Sequence, residues 1–268
     1  MENILEINGL CKTYRDFSLK NVTFALPKGY IMGFVGQNGS GKTTTVRSIM
    51  NMTKFESGSI SVFGLDSVKD TIEIKQRLGV VFYSMYLAEH LTARQIDQQI
   101  RPFYTKWDSD DFFAYLKRFG LPDDRCVGDF SKGMKMKLMV TIALAHKPEL
   151  LILDEPTSGL DPVARDELLD ILSDYILDEN RGILFSTHIT ADVERIADYV
   201  TILNNGSVWF TAIGISQMIC MAVCGAASFA AVLGLLTEKR GICRYVISVL
   251  CNSAVISAIV CFEMYKFS

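Results

Sequence analysis

Cysteine is scarce over most of this chain: of the seven cysteines in 268 residues, only Cys11 and Cys126 lie among the first 211. Such sparse use excludes a disulfide-stabilised scaffold and is typical of a reducing compartment. An excess of basic residues is missing as well, because the formal net charge is −3 at pH 7. We therefore expect no nucleic-acid partner, since binding to a phosphate backbone depends on clustered Lys and Arg.

Signals for several other architectures are also absent. The segment from Met1 to Gly9 is short, acidic and only modestly apolar, so we expect no secretory signal. We find neither an internal repeat nor a low-complexity linker. The length therefore fits one large domain, or one domain with a small appendage.

Charge is nearly absent from the last part of the chain, residues 212–268. Residues 212–236 and 245–262 contain no charged side chain. The first of these runs is long enough to cross a bilayer as a helix. We interpret the segment as an apolar helical hairpin that is a candidate for membrane insertion.

Two features of this segment point in opposite directions. Ala226, Ala230 and Gly234 form a stripe of small residues like those of packed membrane helices. However, a hairpin attached to a cytoplasmic domain would place Lys239 and Arg240 outside the cell, against the positive-inside rule. A buried helical hairpin and an aberrant C-terminus therefore remain alternatives.

Strand-like and helix-like segments alternate over residues 1–211. Strand patterns lie at residues 4–7, 22–26, 30–35, 79–82, 150–153, 183–186 and 200–203. Helical spacing occurs at residues 43–52, 93–104, 110–119 and 132–145. We predict an α/β fold, in which an N-terminal antiparallel β subdomain joins a mostly parallel sheet flanked by helices. A helical lobe is inserted at about residues 86–147.

A glycine-rich loop follows the strand pattern at 30–35. Its sequence at residues 36–43 satisfies G-x-x-x-x-G-K-[ST] completely, between a predicted strand and a predicted helix. Glycines let the backbone turn its N–H groups onto phosphate oxygens, and the helix N-terminus adds favourable partial charge. An ordinary Gly-rich turn is the plainer alternative. The candidate nucleotide-binding residues are Gly36, Asn38, Gly39, Ser40, Gly41, Lys42, Thr43 and Thr44.

Two acids, Asp154 and Glu155, follow the strand pattern at 150–153. The carboxyl end of such a strand is where open α/β sheets bind ligands. We expect Asp154 and the Thr43 hydroxyl to hold Mg²⁺, and Glu155 to polarise the water that attacks the γ-phosphate reached by Lys42. Paired acids at this place can also be simple helix caps.

Four further motifs connect the chain with a known family. Phe130 to Met134, Phe-Ser-Lys-Gly-Met, is similar to the signature motif of ATP-binding cassette (ABC) proteins, and Ser158 to Asp161 is similar to their D-loop. Tyr14 matches the aromatic residue that stacks on adenine, and His188 matches the switch histidine. Together with the loop and the acids, these motifs resemble the ATP-binding subunits of ABC transporters, with an ABC ATPase domain at residues 1–211.

The resemblance implies a P-loop NTPase with a RecA-like core that uses ATP and Mg²⁺. It also implies a head-to-tail dimer, either a homodimer or a heterodimer with another ABC ATPase subunit, with ATP between the subunits. Ser131 and Gly133 would meet the γ-phosphate held by the opposite subunit, Asp161 would lie at the dimer seam, and His188 would orient the water. The plainer alternatives are a helix cap for Asp161, a core residue for His188, and a surface or core aromatic for Tyr14.

Two motifs depart from the family pattern, at three positions. The family places a Gln or an acid after the strand at 79–82, whereas this chain has Tyr83, whose hydroxyl cannot replace that ligand at similar reach. In the signature motif, Lys132 and Met134 replace Gly and Gln. Some bacterial bacitracin-resistance and peptide-exporting ABC proteins resemble this variant, which favours an exporter.

Three functions remain open on the sequence alone. The first is an ATP-hydrolysing subunit that drives a separate transmembrane permease from the cytoplasmic face of the membrane, touching it through residues 83–106. The second is a non-transport ABC protein that acts on ribosomes or nucleic acid. A single cassette with 23 Lys and Arg against 28 Asp and Glu over residues 1–211 disfavours it. The third is an ATP clamp with weak or no hydrolysis, which Tyr83 keeps open.

Overall fold

The computed structural model describes residues 2–83 and 87–213. Residues 1–211 form one compact unit. From residue 214 onward, the predicted C-terminal hairpin and the membrane insertion that depends on it lie outside the described residues. Within the two described ranges, no helix combines the length and the apolar character that a bilayer span requires.

The described residues form ten β-strands and seven α-helices, with 3₁₀ turns at Arg101–Phe103 and Val127–Asp129. The strands are β1 (Asn3–Thr13), β2 (Ser18–Pro27), β3 (Ile31–Val35), β4 (Ser57–Val62), β5 (Leu65–Asp66), β6 (Leu78–Phe82), β7 (Leu150–Asp154), β8 (Gly182–Thr187), β9 (Tyr199–Asn204) and β10 (Ser207–Ile213). The helices are α1 (Lys42–Ile49), α2 (Thr71–Arg77), α3 (Ala93–Ile100), α4 (Ser109–Arg118), α5 (Lys132–Leu144), α6 (Pro162–Tyr175) and α7 (Thr190–Ile196).

Four strands form an antiparallel sheet in the order β2-β1-β4-β5. Its register pairs Ile7 with Phe24 on one side and with Ile60 on the other. All three side chains are buried, so one face of the sheet is apolar and packs on the core. The predicted N-terminal antiparallel subdomain is confirmed. Strand β4 was missed because its Ser-Gly-Ser start at residues 57–59 carries no strand signal.

The other six strands form a second sheet in the order β10-β9-β3-β8-β7-β6, in which β9, β3, β8, β7 and β6 run parallel. Every residue of β7 and β8 is buried, which explains their uninterrupted apolar runs. The register aligns Val35 with Thr187, and Asp154 with both Ser186 and Phe82. The carboxyl ends of four strands therefore meet at one edge, and the predicted α/β class is confirmed.

This parallel sheet separates two hydrophobic cores. In β7, Leu151 and Leu153 pack with apolar residues of α4, α5 and α6. Leu150 and Ile152 point the other way and pack with the antiparallel sheet and α1. The alternation follows from the two-residue period of a strand. Because both faces are covered, the edge formed by the strand ends remains available for a site.

The helix predicted for residues 93–104 is shorter than the pattern indicated. It begins at a capping box, in which Thr92 and Gln95 satisfy each other's backbone N–H groups. It ends at Ile100 and continues as a 3₁₀ turn, because Pro102 has no N–H to extend the helical hydrogen bonds.

The helix predicted for residues 43–52 also ends early, at Ile49. Asn51 takes a left-handed backbone conformation (φ 52°), and a residue in that conformation ends a helix. The helices predicted at 110–119 and 132–145 correspond to α4 and α5, with ends that differ by no more than one residue.

A bidentate ion pair joins the end of α2 to the residue before β7. Arg77 donates from Nε to Glu149 Oε1 (2.9 Å) and from Nη2 to Glu149 Oε2 (2.7 Å). The Arg77 hydrogen bonds lower the pKa of the Glu149 carboxyl, against the opposing effect of desolvation. Because the folded-state pKa is below the unfolded one, the pair stabilises the fold above the unfolded pKa and loses its effect as the pH falls through the folded pKa.

Replacing Glu149 by Gln is expected to lower the free energy of unfolding by about 1 kcal/mol at neutral pH, since the pair is well oriented but partly solvated. The difference should shrink as the pH falls below about 4, where the parent loses the same interaction. Urea denaturation at several pH values measures it, with the exposed Glu179→Gln as the control. A difference that stays constant across this range would contradict the assignment.

Candidate nucleotide-binding site

The glycine-rich loop lies between β3 and α1, at the edge where the parallel strands end. Gly39 (φ 81°) and Gly41 (φ 111°) occupy backbone conformations that side chains disfavour. A Cβ on Gly36 would collide with the Leu203 carbonyl and lie 2.5 Å from Ser40 Oγ. The fold of this loop therefore depends on glycine at these positions.

Lys42 is the buried cation of the site. Its ammonium donates to the Gly36 carbonyl (2.6 Å) and the Gln37 carbonyl (3.3 Å), and it lies 3.2 Å from Glu155 Oε1. Only 5% of the residue is exposed. Gly41 precedes α1 without a side-chain cap, so the first N–H groups of the helix and this ammonium can serve an anion together.

Asp154 lies at the end of β7 with both carboxylate oxygens engaged. Oδ2 accepts a hydrogen bond from Thr43 Oγ1 (2.7 Å), and Oδ1 accepts one from Ser186 Oγ (2.7 Å). The structure thus brings together Thr43 and Asp154, the two residues predicted for a metal. A hydroxyl and a carboxylate are hard oxygen donors that suit Mg²⁺. Sequence reasoning missed Ser186, which the parallel register places opposite Asp154.

Glu155 lies between a cation and an imidazole. Its Oε2 is 2.6 Å from His188 Nδ1, and its Oε1 is close to Lys42 but has no hydrogen-bond partner among the described residues. The side chain is 14% exposed. Its backbone is left-handed (φ 55°), a strained conformation for this residue type that costs on the order of 1 kcal/mol. A backbone hydrogen bond from Glu155 N to Ser186 O (2.9 Å) holds it there.

A cavity of about 430 Å³ lies beside the loop. It is lined by Asp16, Phe17, Gln37, Asn38, Gly39, Gly41, Lys42, Thr43, Thr44 and Glu155. Sequence reasoning had chosen Tyr14 as the aromatic residue of the site. Here Tyr14 is half-exposed, with its ring 5.3 Å from Lys12 Nζ, and Phe17 is the aromatic residue that lines the cavity.

The predicted signature and D-loop residues lie outside this cavity. Ser131 is the N-cap of α5 and accepts a hydrogen bond from Met134 N (3.2 Å). Gly133 follows in the first turn. Asp161 caps α6, since its side chain accepts a hydrogen bond from Ala164 N (2.9 Å). Within its own subunit, Asp161 is therefore a helix cap.

A buried acid that sequence reasoning missed holds the turn after Glu155. Asp192 accepts a hydrogen bond from Thr157 Oγ1 (2.6 Å) and forms an ion pair with Arg165. It is fully buried, so its charge is compensated by these partners. No local pattern marks it, because its partners lie 27 and 35 residues earlier in the chain.

A loop with obligatory glycines, a buried Lys, and a Thr43–Asp154 pair that joins the start of α1 to the end of β7 define a P-loop nucleotide-binding domain. Residues 19–158 match the protein-family model described as ABC transporter. The chain therefore belongs to the ABC transporter ATP-binding family, and the resemblance drawn from its motifs is confirmed.

Two curated relatives illustrate the place of the chain in this family. It is 36% identical to the bacitracin transport ATP-binding protein BcrA of Bacillus licheniformis, over 78% of this chain and 69% of that protein. It is also 36% identical to the ABC transporter ATP-binding protein NatA of Bacillus subtilis (strain 168), over 71% of this chain and 80% of that protein.

Solved structures agree with this assignment. The structure of an ATP-binding subunit of an ABC transporter superposes with a TM-score of 0.73 at 31% identity, covering 78% of this chain and 90% of that one. A dimeric ATP-binding cassette in a post-hydrolysis state, bound to ADP and Pi, has the same fold, with a TM-score of 0.70 at 21% identity. It covers 78% of this chain and 98% of the other.

Proposed function

We propose that this chain is the ATP-hydrolysing subunit of an ABC exporter, which drives a separate transmembrane permease from the cytoplasmic face of the membrane. One observation carries the proposal. Glu155 is a shielded carboxylate that contacts Lys42 and His188 beside the Thr43–Asp154 pair. A phosphate-binding cation, a base and its orienting partner therefore share one site.

The loop would bind the phosphates of ATP. The N–H groups of the glycine-rich turn and of the first turn of α1 suit phosphate oxygens. Lys42 would exchange its carbonyl contacts for the β- and γ-phosphates, because a charged acceptor makes a stronger hydrogen bond than a neutral one. Thr44 lines the same cavity and would lie against the α-phosphate.

Thr43 and Asp154 would hold Mg²⁺ at the end of β7. When bound, the ion neutralises negative charge on the phosphates. The 2.7 Å contact between the two side chains supports this assignment, since one small ion can be reached by both. Ser186 fixes the second oxygen of Asp154 and so holds the carboxylate in its orientation.

Glu155 would act as the general base toward the attacking water. Its Oε1 accepts no hydrogen bond among the described residues, so it has capacity to accept one from water. His188 at 2.6 Å would orient the carboxylate and contact the γ-phosphate. The left-handed backbone of Glu155 is the kind of strain that proteins retain at functional sites.

A second subunit would complete the site. Ser131, Gly133 and Asp161 lie outside the cavity of their own subunit, which fits a role toward ATP held by a partner. The dimeric relative bound to ADP and Pi supports such an arrangement. The partner would be a second copy of this chain or another ABC ATPase subunit.

The contact with the permease would involve the groove beside β6 and the helical segment. A cavity of about 420 Å³ is lined there by Met50, Met52, Leu78, Phe82 and Tyr104, among others. Met52 is 60% exposed and Phe103, next to Tyr104, is 73% exposed, and the basic residues Arg47 and Lys75 also line the cavity. A cytoplasmic apolar segment of the permease fits this surface. The name of the bacitracin transport relative supports a role in transport.

Mixing two inactive variants should restore hydrolysis if each site is shared between subunits. Lys42→Ala removes the loop cation, and Gly133→Asp adds a negative charge at the start of α5. A Cβ fits there, because the nearest heavy atom is 3.6 Å away. A mixed dimer then has one intact site and one doubly altered site. At random pairing we expect on the order of a quarter of the parental turnover.

Phosphate release from the equimolar mixture, compared with each variant alone, measures this effect. Gly133→Ala is the matched control, since it adds the Cβ without charge and should retain most activity. A mixture as inactive as its components, with both variants folded, would contradict a site shared by two copies of this chain.

A further inference from the structure

Two of the three positions that depart from the family pattern touch each other. Lys132, the first residue of α5, donates from Nζ to the hydroxyl of Tyr83, which directly follows β6 (2.7 Å). The same ammonium lies 4.3 Å from the centre of the Tyr83 ring. The residues are 49 positions apart, so only the fold brings them together.

The Lys132 side chain also lies against the turn that follows Glu155. A Cβ on Gly159 would be 2.7 Å from Lys132 Nζ, and Gly159 has a left-handed backbone (φ 74°). The residue after Lys132, Gly133, faces the same turn: a Cβ on Gly133 would lie 3.6 Å from Leu160 Cδ2. The Lys132 side chain therefore extends from the start of α5, past the turn at 158–160, to Tyr83 at the end of β6.

Tyr83 is itself fixed to the catalytic edge of the sheet. Its backbone N–H donates to the carbonyl of Asp154 (3.0 Å), which continues the pairing of β6 with β7. A displacement of the start of α5 would thus be transmitted through Lys132 and Tyr83 to the strand end that carries Asp154 and Glu155.

We propose that Tyr83 and Lys132 form a brace within each subunit that positions the start of α5 for the ATP of the partner. The brace rests on the proposed function, because it acts on the dimer that encloses ATP. Both are positioning residues. The chemistry suits the pair, since the phenol oxygen accepts and the ammonium only donates. The brace uses the position at which the family has a Gln or an acid, but it does not supply the ligand that such a residue provides.

ATP-dependent dimerisation of the full chain tests the brace. In a Glu155→Gln background with saturating Mg-ATP, sedimentation velocity over a range of protein concentrations gives the dimer dissociation constant. We expect Tyr83→Phe and Lys132→Met each to weaken the dimer by about 3- to 10-fold, the effect of one hydrogen bond. The double variant should be no weaker than either single one. Lys132→Arg should retain most of the parental dimer affinity. The Mg-ATP affinity of the monomer, measured at protein concentrations far below the dimer dissociation constant, should change by less than about twofold.

The matched control is Lys117→Met, an exposed lysine on α4 with no side-chain hydrogen bond or ion pair among the described residues. An equal loss in this control, or additive losses in the double variant, would overturn the proposal. So would a parallel loss of Mg-ATP affinity.

Amide hydrogen exchange without nucleotide separates the brace from the proposed function. Peptides that cover residues 132–140 and 156–162 should exchange faster in Tyr83→Phe and Lys132→Met than in the parent and the Lys117 control. Unchanged exchange would overturn the brace whether or not the chain dimerises. Faster exchange in a chain that never dimerises with ATP would support the brace and count against the proposed function.

Discussion

Replacing Lys42 by alanine is expected to weaken Mg-ATP binding by at least about 100-fold, because the side chain supplies the buried positive charge of the loop. The substitution also leaves the Gly36 and Gln37 carbonyls without the ammonium that they now accept from. In addition, Glu155 Oε1 loses its neighbouring cation, so the charge of the site becomes more negative just where phosphates would bind. The change of charge opposes nucleotide binding, whereas the two carbonyls would lose the ammonium to the phosphates in any case.

Equilibrium binding of a fluorescent ATP analogue with Mg²⁺, with displacement by ATP, measures this loss. Lys54→Ala is the matched control, because Lys54 is exposed and has no side-chain hydrogen bond or ion pair among the described residues. Circular dichroism should show that both variants are folded. Tight Mg-ATP binding by a folded Lys42→Ala protein would overturn the assignment of the loop.

Replacing Glu155 by Gln is expected to lower turnover by at least about 100-fold while Mg-ATP still binds. The amide has nearly the same shape and can still contact His188, but it cannot take a proton from water. Because the negative charge next to Lys42 is removed, the affinity for the nucleotide should stay within a few-fold of the parent or increase. The variant should therefore accumulate as an ATP-bound species.

Phosphate release at saturating Mg-ATP and nucleotide binding should be measured on the same preparations. Glu194→Gln, an exposed acid on α7 only six residues from His188, is the control and should behave as the parent. A Glu155→Gln protein that hydrolyses ATP at more than about a tenth of the parental rate would show that another group is the base, because removing a general base costs about 100-fold or more.

The contiguous parts of the site could be predicted from the sequence because their chemistry is local. The glycine-rich loop depends on its backbone conformation and on the start of α1. Both are encoded within eight residues, which include Lys42 and Thr43. Asp154 and Glu155 directly follow a strand that could be recognised from its apolar run. The structure brings these groups together as the strand order requires.

The parts that were missed depend on strand pairing and packing between distant segments. Ser186 matters only because β8 lies beside β7 in a register that places it opposite Asp154. Asp192 belongs to the turn after Glu155 only through its contacts with Thr157 and Arg165. Phe17 lines the cavity because of the conformation of the loop between β1 and β2. The sequence alone does not show whether Tyr14 or Phe17, three residues later, takes this place.

The departures from the family pattern also depend on a contact between distant segments, which the sequence does not reveal. Taken separately, Tyr83 indicates weak or no hydrolysis, and Lys132 indicates a variant signature motif like that of some bacterial exporters. Their contact could not be foreseen, since no spacing rule connects a strand end with a helix start 49 residues later. Once the contact is known, each substitution supplies the partner that the other requires.

We propose above that this chain hydrolyses ATP as a dimer, with Glu155 as the base. The most direct test is the rate of Mg-ATP hydrolysis by the full chain as a function of its concentration, with Glu155→Gln measured in parallel. The account predicts that the parental rate rises more steeply than in proportion to concentration, and that the variant shows almost no turnover. Equal, near-zero rates in both proteins at every concentration, with Mg-ATP bound, would contradict the account and indicate an ATP clamp.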